Sequence, residues 1–392
     1  MKALVLLLAL AAGCGEAREP GVILWHAYTG LERAALEETA ARWNADHPDR
    51  PLTVVAVPHD SFADKLTNAI PRGNGPDLFI FADDRIGSWA QAGIIEPVEF
   101  WVDDARADRF STRAMSAMAY KGSLWGLPLA VKSVALYVRT DLVATPPRTT
   151  EELFALAPAM RKRGGYAMAY ANVDLYGHAP WLHGFGGKVV EDDGTLAVNT
   201  REAEAAMAFA RELVSGGVAP ADTQLPMVAS LFNAGKAATA ISGPWFIPDI
   251  AANVPWTVVT LPMISETGRP ATPFLGAESI LMSAYAKDKS AAFAVMDALT
   301  SDESALVRAR KARQVVANPA AYRDPQVAQD PVLRTFNAQL EHTVAMPKVE
   351  AMRSIWTPYQ NALGEVLAGR KDPGQQLEAV ERDVQSYVSR DR

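Results

Sequence analysis

The run Gly75-Pro76-Asp77-Leu78-Phe79-Ile80-Phe81-Ala82-Asp83-Asp84-Arg85 delivers two carboxylates and a guanidinium directly after an apolar strand. A Gly-Pro pair turns the chain, the apolar residues form the strand, and the charged groups arrive where that strand gives way to a helix. In an open α/β sheet this edge is where ligands bind. Carboxylates accept and guanidinium donates several hydrogen bonds at once, so the chemistry is recognition of a small polar ligand by a receptor or an enzyme. The chain has 6 histidines and 1 cysteine, with no His-Cys or Glu-x-x-His spacing, which gives a metal centre little support.

The elements that must position these groups alternate. Gly21 to Trp25 is a strand-type run, His26 to Gly30 a loop, and Leu31 to His47 an amphipathic helix with Leu36, Ala40 and Trp43 on one face. Leu52 to Val57 is a second strand, completing a βαβ unit. A helix over Ser61 to Ile70, the Leu78 to Phe81 strand and a helix ending near Gly93 continue the pattern, with Asp83 or Asp84 placed to cap the last. Gly122 to Leu129 alternates like a hairpin. Thr149-Thr150-Glu151-Glu152 starts another helix, with threonine as the cap. Strands over Ser133 to Val138, Ala238 to Ile241, Thr257 to Leu261 and Gly276 to Ser283 are interleaved with helices over Glu202 to Val214, Met227 to Phe232, Lys289 to Thr300, Asp302 to Ala309 and Asp372 to Ser389. The fold class is α/β.

A length of 392 residues exceeds one ordinary core and predicts two lobes. Hydrophobic residues at 49% and charged residues at 21% argue against long disorder. The net charge of -7 argues against a nucleic-acid surface. At the start, Lys2, the apolar run Ala3 to Ala12 and small residues before Cys14 read as a secretory signal, too short to span a bilayer, which needs about 20 residues. The sole cysteine stands where such a signal would be cut. This resembles a bacterial lipoprotein signal over residues 1–13, with Cys14 lipidated and residues 14–20 as a tether; the alternative is an ordinary secretory peptide with an incidental cysteine.

Further landmarks are collinear: Gly75-Pro76-Asp77 with Ala82-Asp83-Asp84-Arg85 and Ala90-Gln91-Ala92-Gly93; Gly126-Leu127-Pro128 with Tyr137; Pro147 with Thr150-Glu151-Glu152-Leu153; Phe232-Asn233-Ala234-Gly235 with Ser242-Gly243-Pro244-Trp245; Pro273-Phe274-Leu275-Gly276; and Met346-Pro347 with Trp356. Together they resemble the maltose/maltodextrin-binding proteins of ABC importers over nearly the whole chain after the signal. The resemblance implies a periplasmic-binding-protein-like fold of type II, two α/β lobes joined by three crossing segments near 131–133, 273–276 and 326–331. The N-terminal lobe would hold 21–130 and 277–325, the C-terminal lobe 134–272 and 332–392. It also implies a monomeric receptor without cofactor, held at the membrane by Cys14 in the periplasm or at the cell surface, which closes on an oligosaccharide and presents it to ABC permease subunits.

The resemblance assigns sugar stacking to Trp245 and Trp356, hydroxyl binding to Asp84 and Arg85, and further contacts to Asp174 and Tyr176. Phe81 replaces a family tryptophan, and Asp174 a longer acid. Tyr28 takes a stacking or a packing role in the first loop, where the family's charged pair is missing. Lys132 stands where the family carries a glutamate, and either grips the ligand, points to solvent or is neutralised by Glu278. A Lys132 facing the cleft would admit an anionic sugar derivative. A glycan-cleaving enzyme using Asp84 and Asp174 is the reading from another class, and needs two carboxyls about 5–9.5 Å apart across the bond.

Overall fold

The computed structural model describes residues 21–191 and 195–390, so Cys14 and the apolar run before it lie outside the described residues. Apolar runs build two sheets. In the first, Val22–His26 pairs in parallel with both Leu52–Ala56 and Leu78–Ala82. The long strand Phe274–Met282 then runs antiparallel to Leu78–Ala82 and to Gly126–Lys132. Side chains alternate between two buried clusters: Leu24, Leu78 and Ile80 join Leu36 and Ala40 of the first helix on one face, and Phe79 meets Phe62 and Trp89 on the other. Burial of both faces is the reason these strands are nearly continuous in apolar residues.

The second sheet has the order Trp256–Val259, Ala135–Arg139, Ala237–Ser242, Tyr166–Ala169. It too is covered on both faces, with Leu136 and Val138 packed beside Leu153 and Trp181, and Tyr137 beside Phe232 and Phe246. The helix Thr150–Lys162 starts as its sequence predicts, Thr149 Oγ1 accepting from Glu152 N at 3.2 Å.

Two residues separate the end of Gly126–Lys132 in the first sheet from the start of Ala135–Arg139 in the second. Phe274–Met282 carries the chain back, and Ser133 Oγ donates to the Phe274 carbonyl at 3.2 Å, tying the two passages together. A third passage runs between the helices Pro325–Gln329 and Pro331–Gln339, where Asp330 Oδ1 accepts from Val332 N at 2.8 Å. Val344–Ala345 adds in parallel to Phe274 and Leu275, and Lys348 Nζ donates to the Ser116 and Ala119 carbonyls at 3.2 and 3.1 Å.

The expected hairpin over Gly122 to Leu129 is smaller. Ala119–Tyr120 pairs with Ser123–Leu124, while Gly126–Lys132 joins the main sheet beside the long strand. Alternation alone does not separate a hairpin arm from a sheet strand whose partner comes much later in the chain, as Leu127 pairs with Ile280.

Candidate ligand-binding cleft

The charged end of the Leu78–Ala82 strand is a short turn, Asp83–Arg85, before the helix Ile86–Gln91. Neither aspartate caps that helix, whose N-cap is Arg85 without a side-chain bond. Asp83 is instead buried, 2% exposed, and its Oδ1 accepts from Ala277 N of the long strand at 2.8 Å. Burial raises its pKa to about 7, against the opposing pull of the Ala277 N–H and Lys348.

Asp84 lies beside Arg85, Oδ2 to Nε 3.8 Å, with its side chain 26% exposed. Its Oδ1 is buried and has no hydrogen-bond partner among the described residues. Burial raises the Asp84 pKa, and Arg85 opposes the rise. A buried acceptor without a donor is costly, and a ligand hydroxyl removes that cost. Phe81 packs partly into the interior, with ring centroids 5.5 Å from Phe62 and 4.9 Å from Trp89.

In the first loop, His26 is buried and its Nδ1 accepts from Tyr28 N at 3.1 Å, shaping the turn. Tyr28 is also buried, and its hydroxyl donates to Glu278 Oε2 at 2.7 Å. Lys132 Nζ donates to Glu278 Oε1 at 2.8 Å. Of the alternatives for Lys132, neutralisation by Glu278 is the one found. Burial disfavours the ammonium, but Glu278 and Glu32 outweigh it and hold the Lys132 pKa above its ordinary value.

The remaining candidates follow strands of the second sheet. Asp174 caps the helix Leu175–Gly184, its Oδ1 accepting from Tyr176 N at 2.9 Å, and burial raises its pKa. The Tyr176 ring stands 6.2 Å from Trp245 and 6.3 Å from Phe274. Burial is the main cause of its raised pKa, with Asp83 and Asp174 adding to it, so the phenol from one half of the chain lies within electrostatic reach of a carboxyl from the other.

Trp245 follows the Ala237–Ser242 strand in the turn Pro244–Asp249 and is half-buried. Its indole folds back over Gly243, where an added Cβ would stand 2.1 Å from Cζ3. Tyr137 fixes this turn by donating its hydroxyl to the Gly243 carbonyl at 2.8 Å. Gly243→Ala is therefore expected to swing the indole out of place, lowering ligand affinity severalfold and shifting the tryptophan emission, measurable in one fluorescence titration. Trp356 lies on the helix Glu350–Leu367, half-buried against a cluster that Tyr176 also borders.

The structure thus brings Asp174, Tyr176 and Trp245 close together, sets Asp84 beside Arg85, and joins Tyr28, Lys132 and Glu278 in one bonded group. Glu32 lies within electrostatic reach of Lys132 and Glu278, and Gln314 Nε2 donates to Glu32 Oε1 at 3.0 Å. Glu32 had one signal in the sequence, a carboxylate in the first helical turn after the candidate loop. Gln314 had none. A cavity of about 510 Å³ lies past Phe274, lined by His183, Val190, Met346 and Lys348 among others, and none of the expected ligand residues lines it. Among the described residues, no three His, Cys, Asp or Glu side chains are grouped to hold a metal ion, and no helix is long and apolar enough to cross a membrane.

Two sheets linked by passages that meet at Ser133 and Phe274, with polar groups and aromatics at the facing edges, define a two-lobed solute receptor of type II. The chain belongs to the bacterial extracellular solute-binding proteins, whose family model matches residues 38–335. It is 28% identical over 386 residues to the maltotriose-binding protein of Pyrococcus abyssi, covering 96% of this chain and 83% of that one. It is 25% identical over 367 residues to the galactooligosaccharide-binding protein of Bacillus subtilis, covering 90% and 86%. A crystal structure of a cyclo/maltodextrin-binding protein complexed with maltotetraose superposes with a TM-score of 0.84 at 29% identity, covering 94% of this chain and 98% of that one.

Proposed function

We propose that the chain is the substrate-binding component of a carbohydrate ABC importer and takes a neutral malto-oligosaccharide into its cleft. The observation that carries this reading is the pairing of an aromatic wall, Tyr176 and Trp245, with a buried Asp84 oxygen that lacks a donor. Sugar rings offer apolar faces to the first and hydroxyls to the second. Trp356 extends the aromatic wall, and Arg85 supplies donors beside Asp84. The named ligands of the Pyrococcus relative and of the complexed structure support the maltodextrin class. The Bacillus relative favours a second reading, a galacto-oligosaccharide. Lys132 already pairs with Glu278, so an anionic sugar is not the ligand adopted.

The lobes are 21–130 with 277–325, and 134–272 with 332–392, hinged near 131–133, 273–276 and 326–331. Only a closed state contacts the sugar from both sides, so the ligand selects closure through its differential affinity for that state. The receptor acts as a monomer, anchored through a lipid on Cys14 in the periplasm or at the cell surface, and hands the sugar unaltered to permease subunits. Titration of the purified protein with maltotriose, galactotriose and a galacturonate trimer, read by intrinsic fluorescence, tests this. Saturable binding of maltotriose, recovered intact by chromatography, is the expected result; a response to the uronate alone, or cleavage of the sugar, overturns the reading.

A further inference from the structure

Asp83 has no part in holding sugar hydroxyls, yet it is the buried carboxylate of its turn, and its position is at the hinge. Its Oδ1 accepts from Ala277 N at 2.8 Å, and a Cβ added at Gly276 would stand 4.0 Å from the same oxygen. Gly276 ends the second passage between the lobes, so Asp83 grips the long strand where it enters the first lobe. Two parts of the second lobe come to the same turn. The helix Glu350–Leu367 lies beside Asp83–Arg85, and Lys348, just before that helix, ties its Nζ to the Ser116 and Ala119 carbonyls of the first lobe. The Lys348 carbonyl approaches Gly87 so closely that a Cβ there would stand 2.3 Å from it.

The charged and titratable groups on the elements around Asp83 are Asp84 and Arg85 in its own turn, Lys348 and Arg353 from the second lobe, and Tyr176 on the helix Leu175–Gly184. Glu278, the neighbour of Ala277, is engaged by Tyr28 and Lys132 instead. Lys348 favours the Asp83 anion and Asp84 opposes it, but burial outweighs both and brings the pKa to about 7. A carboxylate enclosed by parts of both lobes responds to their separation, because water readmitted beside it stabilises the charged form.

We propose that Asp83 couples lobe closure to the uptake of a proton: with the lobes apart its carboxylate is hydrated and ionised, and with the lobes together it is enclosed and neutral. The coupling rests on the sugar-receptor reading and gives its closure a pH dependence. Asp83 is a positioning residue that acts through the long strand, and its neutral form keeps the Ala277 bond through the carbonyl oxygen. A proton held more tightly in the closed state makes closure, and with it sugar binding, more favourable as pH falls through the closed-state pKa. The gain levels off once the open state is protonated as well. The simpler role, a carboxylate that ties two strands together, would move folding stability with pH and leave the proton count of sugar binding at zero.

Calorimetric titration with maltotriose in two buffers of different ionisation enthalpy gives the number of protons exchanged on binding and separates these roles. At about pH 6.5 the parent protein is expected to take up more than roughly half a proton per sugar, and to bind about tenfold more weakly at pH 8 than at pH 6. Asp83→Asn keeps an acceptor for the Ala277 amide and lacks the titration. Its proton uptake is expected to fall by about the parent's amount, and its affinity to be nearly the same at both pH values. No uptake by the parent, or equal uptake by the parent and Asp83→Asn, overturns the coupling while the receptor reading stands. The first of these outcomes needs no variant, so the proposal can be refuted even where Asp83→Asn does not fold. Failure of the parent protein to bind any neutral oligosaccharide across this pH range overturns the receptor reading itself, and the coupling with it.

Discussion

Replacing Trp245 by alanine is expected to weaken maltotriose binding between tenfold and a hundredfold, with thermal unfolding in the absence of sugar little changed. One face of an indole stacked on a sugar ring removes roughly 100 Å² of apolar surface from water, which at about 25 cal/mol per Å² is ~2.5 kcal/mol. The ring is half-buried and borders its cluster from outside, so the lobe's core does not depend on it. Its orientation is set by contacts that survive the substitution, the Tyr137 bond to Gly243 and the neighbouring Tyr176 ring. Trp245→Phe should recover part of the affinity, because a smaller flat face remains. Calorimetric titration of the three proteins is the measurement, and an unchanged dissociation constant in Trp245→Ala would remove this residue from the sugar site.

Parts of the candidate site were legible because they are local. A strand followed at once by Asp84 and Arg85, and a Gly-Pro turn followed by Trp245, state in a few residues both the geometry and the chemistry. The same holds for the helix capped by Thr149, whose hydroxyl lies three residues from the amide it binds. What escaped is long-range. The role of Asp83 depends on the Ala277 amide, 194 positions away, and the bond from Gln314 to Glu32 joins residues 282 apart. The local pattern made Asp83 a helix cap, since nothing near it in sequence announces a strand edge with a free N–H. The helix Glu350–Leu367 was masked differently, by Pro358 within it, a residue that usually marks a boundary.

Lys132 shows how pairing alters a residue's meaning. Alone in a crossing segment, an ammonium could select an anion or grip a hydroxyl. With Glu278 at 2.8 Å its charge is matched, and only its spare donors are available. Had Glu278 been apolar, the same lysine would be a half-buried cation without this partner. The reading of Lys132 therefore depends on Glu278, 146 positions away in the sequence.

The second large effect concerns acid stability. His178 is fully buried on the helix that carries Asp174 and Tyr176, and neither ring nitrogen has a hydrogen-bond partner among the described residues. Burial, with His183 adding to it, lowers its pKa from 6.5 to about 3; His183, whose Nδ1 lies 2.8 Å from the Thr272 carbonyl, is lowered by burial to about 4. A histidine depressed in the folded state is protonated first in the unfolded chain, so the unfolded state binds more protons as pH falls below 6.5. The stability held above that pH is lost progressively down to about 3 for His178. Asp83 acts with the opposite sign: raised to about 7, it binds its proton more tightly when folded and favours the folded state as pH falls from there towards 3.8. His178→Phe removes the first effect and leaves the second. Its unfolding free energy, measured by urea denaturation from pH 7 to pH 4, should fall less steeply on acidification than the parent's, by close to one proton, or about 1.4 kcal/mol per pH unit below 6. The rings of His178 and Tyr359 lie 5.8 Å apart, so a phenyl ring at this position should also shift stability by a constant at every pH. Only the slope reports the titration, and parallel curves for the two proteins would mean that His178 is protonated equally in the folded and unfolded chain.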